Sequence, residues 1–164
     1  MELMPVRESR VWTLILLGTA LVVGVPLIVW RSLVDEEVGE AAQVFVIAAG
    51  AALFIVAAVS VLRTRRSLRR AKPAPAGLTV SGPNRGWRLA CAGLGFLGGI
   101  APFARSGFDD SSPVFAAFGH GFVAGAAAAV AIGLLYLRRR EHEAGKRLLM
   151  APQGSSRRAG YFLG

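Results

Sequence analysis

The sequence predicts an all-α integral membrane protein with four transmembrane helices, arranged as two tandem helical hairpins with both termini on the cytoplasmic side. Three observations carry this expectation. The chain is 54% hydrophobic and 18% charged over 164 residues, and its mean hydropathy of +0.51 is too apolar for a soluble domain of that size. Four apolar runs come near the length of about 20 residues that a bilayer core requires. The cations fall almost wholly on one side of those runs, as cytoplasmic loops demand.

Residues 1–10 form a cytoplasmic tail carrying Arg7 and Arg10 ahead of the first run, Val11 to Trp30. A signal peptide also begins with a basic stretch, but this run exceeds a usual targeting segment. It ends in Pro26, Trp30 and Arg31 without a small-x-small cleavage site. A short acidic loop leads to the second run, Ala41 to Leu62, and the first hairpin covers residues 11–66. Residues 67–84 make a basic cytoplasmic loop containing KPAPAGLTVSGPN, which is proline-rich and turn-like. The third run, Trp87 to Phe103, is the shortest and richest in glycine; the fourth, Val114 to Leu137, completes a second hairpin over 85–141. No run contains Asp, Glu, Lys or Arg beyond its first two residues. Residues 142–164 read as a flexible basic tail. REHEAGKRLLM continues the fourth helix for two turns, and the stretch after Pro152 has the composition of an unstructured terminus, with Tyr161 and Phe162 free to dock elsewhere.

Charge sets the orientation. Two cations lie in the N-terminal tail, eight between Arg63 and Arg88 and seven after Leu137, so 17 of 19 share one side. The other side holds Arg31 and Arg105 with six acids: Asp35, Glu36, Glu37, Glu40, Asp109 and Asp110. This asymmetry predicts a multi-pass protein of the cell (plasma) membrane with N and C termini inside. The formal charge of +9 is then mostly a topology signal. LRTRRSLRRAK packs six cations into eleven residues, but nucleic-acid recognition needs a basic face on a folded module, and the loop is too short for one. No nucleic-acid partner is expected. The expected partner of Arg63, Arg65, Arg66, Arg69, Arg70, Lys72, Arg138, Arg139 and Arg140 is the anionic headgroup layer of the bilayer, at about 1 kcal/mol per cation near the surface.

Shifted by 75 residues, Arg10 to Arg66 matches Arg85 to Glu141 without gaps, with 15 of 57 pairs identical. Trp12/Trp87, Gly18/Gly93, Gly24/Gly99 and Gly50/Gly125 are among them. Convergence explains the boundary residues, since every inward hairpin favours Arg and Trp at its cytoplasmic ends. The interior glycines and ungapped register favour duplication, which would give a parallel repeat about an axis along the membrane normal.

In lipid, small residues that let backbones approach are the packing signal. Gly121, Gly125, Ala129 and Gly133 form a stripe on the fourth span, continued by Ala117, and Gly95 and Gly99 lie on the third. These predict contact between the third and fourth helices, with a dimer interface as the other use of the same stripe. Cys91 lies in the third run, cannot form an intrachain disulfide and reads as a packing residue. Pro26 and Pro102 are expected to kink or end the first and third spans near their outer ends.

Chemistry is scarce. His120 is the one titratable group placed within an apolar run, roughly 10 Å below the outer surface at 1.5 Å per residue. Intramembrane polar groups are costly and often functional, although a lone histidine between Gly119 and Gly121 also serves as a hydrogen bond between helices. Gln43, at similar depth on the second span, is the expected neighbour. The aligned partner of His120 is Phe45, so metal or haem ligation by paired histidines would need a second copy. Thr13, Thr19 and Ser60 can bond their own helix backbones, and Arg31 with Asp35 and Arg105 with Asp109 have ion-pair spacing. No metal-ligand spacing, phosphate loop or nucleophile elbow is present, so no catalytic residue, cofactor or metal is expected.

Two functions follow. The first is a non-enzymatic accessory or scaffold subunit packing against other membrane proteins. The second is a small homodimeric transporter or channel with a pathway at the repeat or subunit interface. Length and span count resemble those of small four-span drug exporters, which use a glutamate within the first span. This first span has no acid, which weakens cation-coupled export. The Ala, Gly and Arg bias suits a GC-rich bacterial genome.

Overall fold

The computed structural model describes residues 2–36, 38–73, 79–104, 113–150 and 161–164. In chain order these form β1 (Glu2–Pro5), α1 (Val6–Val34), α2 (Val38–Arg70), β2 (Lys72–Pro73), β3 (Thr79–Val80), α3 (Arg85–Ala104), α4 (Pro113–Ala144), β4 (Leu148–Met150) and β5 (Tyr161–Leu163). Helices α1, α2 and α4 are long and apolar enough to cross a membrane, at 29, 33 and 32 residues. Each exceeds the roughly 30 Å hydrocarbon core by several turns, which is why their basic ends continue as helix past the apolar runs. Helix α3 is not one of these three. It has 20 residues, of which five are glycine, and Arg85 and Arg88 occupy its first turn. Pro26 and Pro102 lie inside α1 and α3, which run on to Val34 and Ala104.

The helices pack in the order α3, α1, α4, α2. Helices α1 and α2 are joined through residues 35–37, with Glu36 in the left-handed region at φ 57°. They barely touch, because α4 lies between them and makes the most extensive contact in the molecule with α2. Splaying leaves an apolar crevice of about 270 Å³ between the C-terminal end of α1 and the N-terminal end of α2, walled by Ile28, Val29, Ala41 and Phe45 among others. A two-fold along the membrane normal would exchange α1 with α3 and α2 with α4, making the α1–α4 and α2–α3 contacts equivalent. The first is extensive and the second almost absent, so the similarity at offset 75 does not carry through to the packing.

Five short strands form one sheet, in the order β2-β5-β4-β1-β3. Strands β1 and β4 pair antiparallel (Met4 with Met150), as do β4 and β5 (Leu149 with Phe162), while β2 joins β5 and β3 joins β1 in parallel. The tail, which reads as flexible in sequence, forms strands at 148–150 and 161–163, and the proline-rich loop is extended at 72–73 and 79–80. The physical reason is a small core. Val6, Leu137 and Leu148 are buried together, with Leu68, Ala71, Met150, Tyr161 and Leu163 packed against them. The sheet thereby covers apolar side chains where the helices emerge, and backbone pairing satisfies the strands' polar groups.

Candidate functional site: two polar clamps and a basic rim

The glycine faces are used, but against partners other than those expected. Gly95 and Gly99 of α3 lie on α1. A Cβ built on Gly95 would sit 2.5 Å from the Leu16 carbonyl oxygen and 2.9 Å from the Cβ of Thr19. On Gly99 it would sit 2.8 Å from the Ala20 carbonyl oxygen. Gly121 and Gly125 of α4 lie on α2, against the backbone of Phe45 and Ala49 and the methyl groups of Ala48 and Ala52. Ala129, one turn beyond Gly125, is fully buried. The predicted contact of α3 with α4 is therefore corrected: α1 separates them over most of their length. Complementarity decides the pairing, since the α4 glycines face an alanine stripe on α2 and the α3 glycines face Thr19, Ala20 and Val23 on α1. Cys91, a free thiol, is buried on the same α3 stripe.

His120 forms the first clamp. It is 1% exposed and reaches from α4 across α1 to α3. Nδ1 lies 2.9 Å from the Ala116 carbonyl oxygen and Nε2 lies 3.1 Å from that of Gly99. The Phe103 ring packs alongside, centroids 6.2 Å apart. The ring passes α1 at Gly24, where any Cβ would overlap the imidazole. A neutral imidazole donates to one of the two carbonyls, whereas an imidazolium donates to both. Gln43 does not join this site. It lies on the exposed face of α2, because the two residues share depth but not direction.

Arg10 forms the second clamp, and charge counting alone assigned it only to topology. Its Nη1 donates to the Gly133 carbonyl oxygen of α4 at 2.8 Å, and its Nη2 donates to Thr64 Oγ1 of α2. Thr64 is buried and donates onward to the Ser60 carbonyl oxygen at 2.7 Å. Gly133 leaves room for this, since a Cβ there would lie 2.5 Å from Ser60 Oγ and 3.1 Å from Arg10 Nη1. The glycine stripe thus ends in a polar contact that joins α1, α4 and α2. Thr13 and Thr19 donate to the carbonyls of Ser9 and Ile15, as their types suggest.

The nine cations expected at the lipid surface, Arg63 to Lys72 and Arg138 to Arg140, are all exposed. Near them, Arg88 of α3 stacks over Trp12 of α1, 5.5 Å from the ring centroid, and donates to the Pro83 carbonyl oxygen. Asn84 caps α3 by accepting the Trp87 N–H at 2.8 Å. At the opposite end of α1 Arg31 and Asp35 form an ion pair of 3.2 Å; Arg105 and Asp109 lie outside the described residues. Among the described residues no three His, Cys, Asp or Glu side chains cluster as a metal site would. Comparison with known protein families, with curated proteins and with solved structures gives no match to this chain.

Proposed function

We propose that the protein is a non-enzymatic scaffold or accessory subunit of the cell membrane, with α3 as a fourth span and both termini in the cytoplasm. One observation supports this above the others: segments from the N terminus, the central loop and the C-terminal tail converge into one five-stranded sheet over the basic ends of the helices. Spanning the bilayer does not require three distant segments to be tied together. A folded, positively charged platform suits display to a partner. The helices supply a fixed mount, because backbone-close packing and the His120 and Arg10 clamps hold them together. The Gly121 to Gly133 stripe is occupied by α2 in this reading, so a membrane partner would meet the lipid-facing sides of α2 and α3 instead. Phe54 on α2 and Leu89 on α3 are each the most exposed large apolar side chain of their own helix.

The test is native mass spectrometry of the protein extracted at its natural level in lipid particles. A stoichiometric second protein, lost when Phe54 and Leu89 are replaced by alanine, is the expected result. A homodimer with no second protein would overturn this reading in favour of the transport alternative.

A further inference from the structure

Helix α4 ends in a turn that builds a cavity. Gly145 adopts φ 61°, its N–H donates to the His142 carbonyl oxygen, and the Lys146 N–H donates to that of Glu141, both at 3.3 Å. This is a glycine-terminated helix end, and it folds Lys146 and Arg147 back beside Arg138 and Arg139. Arg7, in the first turn of α1, closes the opposite wall. The bowl has a volume of about 880 Å³ and is lined by these five cations, His142 and Glu141. Glu141 is engaged, since its Oε1 accepts the Leu148 N–H at 2.9 Å.

The bowl adjoins an apolar stretch of α4. Leu135 forms part of its lining and is 67% exposed. Ala128, Ile132, Leu135, Arg139 and His142 follow one another at spacings of four and three, so they share one exposed face of α4. That face is apolar up to Leu135 and cationic from Arg138 onward, at the level where the apolar run ends. An acyl chain lying along Ile132 and Leu135 would carry its phosphate directly into the bowl. Arg139 is paired with Glu143 at 3.0 Å, and Gly164, whose carbonyl oxygen accepts the Arg147 N–H at 2.7 Å, adds the chain end to the lining. The cationic excess left by Arg7, Arg138, Lys146 and Arg147 still suits a headgroup bearing more than one negative charge, and guanidinium forks pair with phosphate oxygens in bidentate fashion.

We propose that this bowl is a binding site for the headgroup of a multiply charged anionic phospholipid, with one acyl chain along Ala128 to Leu135. The site is independent of the scaffold reading and of which side of the membrane the sheet occupies.

The test is lipid binding to the full chain, measured by native mass spectrometry from detergent. The probes are diphosphatidylglycerol, phosphatidylcholine and soluble glycerol phosphate. Diphosphatidylglycerol is expected to bind at least about tenfold more tightly than phosphatidylcholine. Replacing Arg138, Arg139 and Arg147 with glutamine should weaken it about 100-fold, at about fivefold for each cation near the surface. Replacing Arg63, Arg66 and Arg70, which are equally exposed but lie outside the bowl, should weaken it less than about threefold. Leu135→Asn, at an exposed position tolerant of substitution, should weaken the lipid while sparing the phosphate, and it keeps the test decisive if the arginine triple fails to fold. Equal losses in the two triple variants would overturn the proposal in favour of diffuse attraction. Displacement by glycerol phosphate at concentrations matching the lipid would overturn it in favour of a soluble phosphate ligand.

Discussion

Gly125 and Gly50 occupy equivalent positions in the offset alignment, yet alanine should have opposite effects at the two sites. At Gly125 a new Cβ would lie 2.8 Å from both the Ala52 Cβ and the Leu53 nitrogen, and closer still to the Ala49 carbonyl oxygen. Ordinary carbon contacts are about 3.5 to 4.0 Å, and backbone or Cβ atoms cannot rotate away. Helix α2 must therefore retreat by about 0.7 to 1 Å, a gap that forfeits a quarter to a half of each dispersion contact along the stripe. Because backbone and Cβ atoms are all met at once, the cost lies toward the top of the usual range for overpacking, about 2 to 3 kcal/mol, against about 1 kcal/mol regained from the better helix propensity of alanine. The net expectation for Gly125→Ala is a loss of about 1 to 2 kcal/mol. At Gly50 a Cβ meets nothing within 4 Å, so Gly50→Ala should range from no change to about 1 kcal/mol of stabilisation. Reversible unfolding in mixed micelles, followed by tryptophan fluorescence, separates the two. Equal effects at both positions, or no effect at Gly125, would refute the α2–α4 interface.

Gly24→Ala should destabilise by about 1 to 3 kcal/mol by evicting the imidazole, and His120→Ala should remove most of that penalty. A double-mutant cycle that is additive to within about 0.5 kcal/mol would show that the ring does not sit at Gly24. Arg10→Lys keeps the charge but cannot reproduce a fork across α4 and α2, so it should lower the unfolding free energy by about 1 to 2 kcal/mol; a silent substitution would refute the Arg10 clamp. Leu148→Ala should cost about 2 to 4 kcal/mol locally and speed amide exchange in β1, β4 and β5 while leaving the centre of α4 protected. Exchange unchanged in the strands would mean that the sheet does not depend on this core. In a Cys91→Ala background, an impermeant maleimide applied to intact cells should label Gly39→Cys and Ser106→Cys but not Lys72→Cys. Labelling of Gly39→Cys without Ser106→Cys would show that α3 does not cross.

The helices were legible because lipid exposure imposes long apolar runs, and the small-residue stripes were legible because their spacing of four marks one helix face. Which stripe meets which was not. Gly125 and Gly50 have similar neighbours in sequence, AGAA in both cases, and only the three-dimensional arrangement places one against Ala52 and the other in open space. The sheet escaped detection for a different reason. Its strands are two to four residues long, too short for an alternating pattern to register, and their partners lie far apart in the chain. LLM and YFL, flanking a stretch rich in Gly, Ser and Pro, were the one available hint.

The two clamps show how the same limit bears on function. His120 stood out because a titratable group in an apolar run is rare, whereas Arg10 was hidden among cations whose number already had an explanation. Yet Arg10 bridges two other helices, while Arg85, its counterpart in the alignment, is exposed. A guanidinium can bind carbonyl and hydroxyl oxygens beside a glycine because its fork is planar and weakly hydrated, and the glycine that admits it, Gly133, reads in sequence as packing alone. A polar contact of this kind is specified by a residue that is absent as much as by those present: the missing Cβ at Gly133 makes the space, as the missing Cβ at Gly24 does for His120. Positions 24 and 133 therefore join packing to polar recognition, and substitution there should disturb both together.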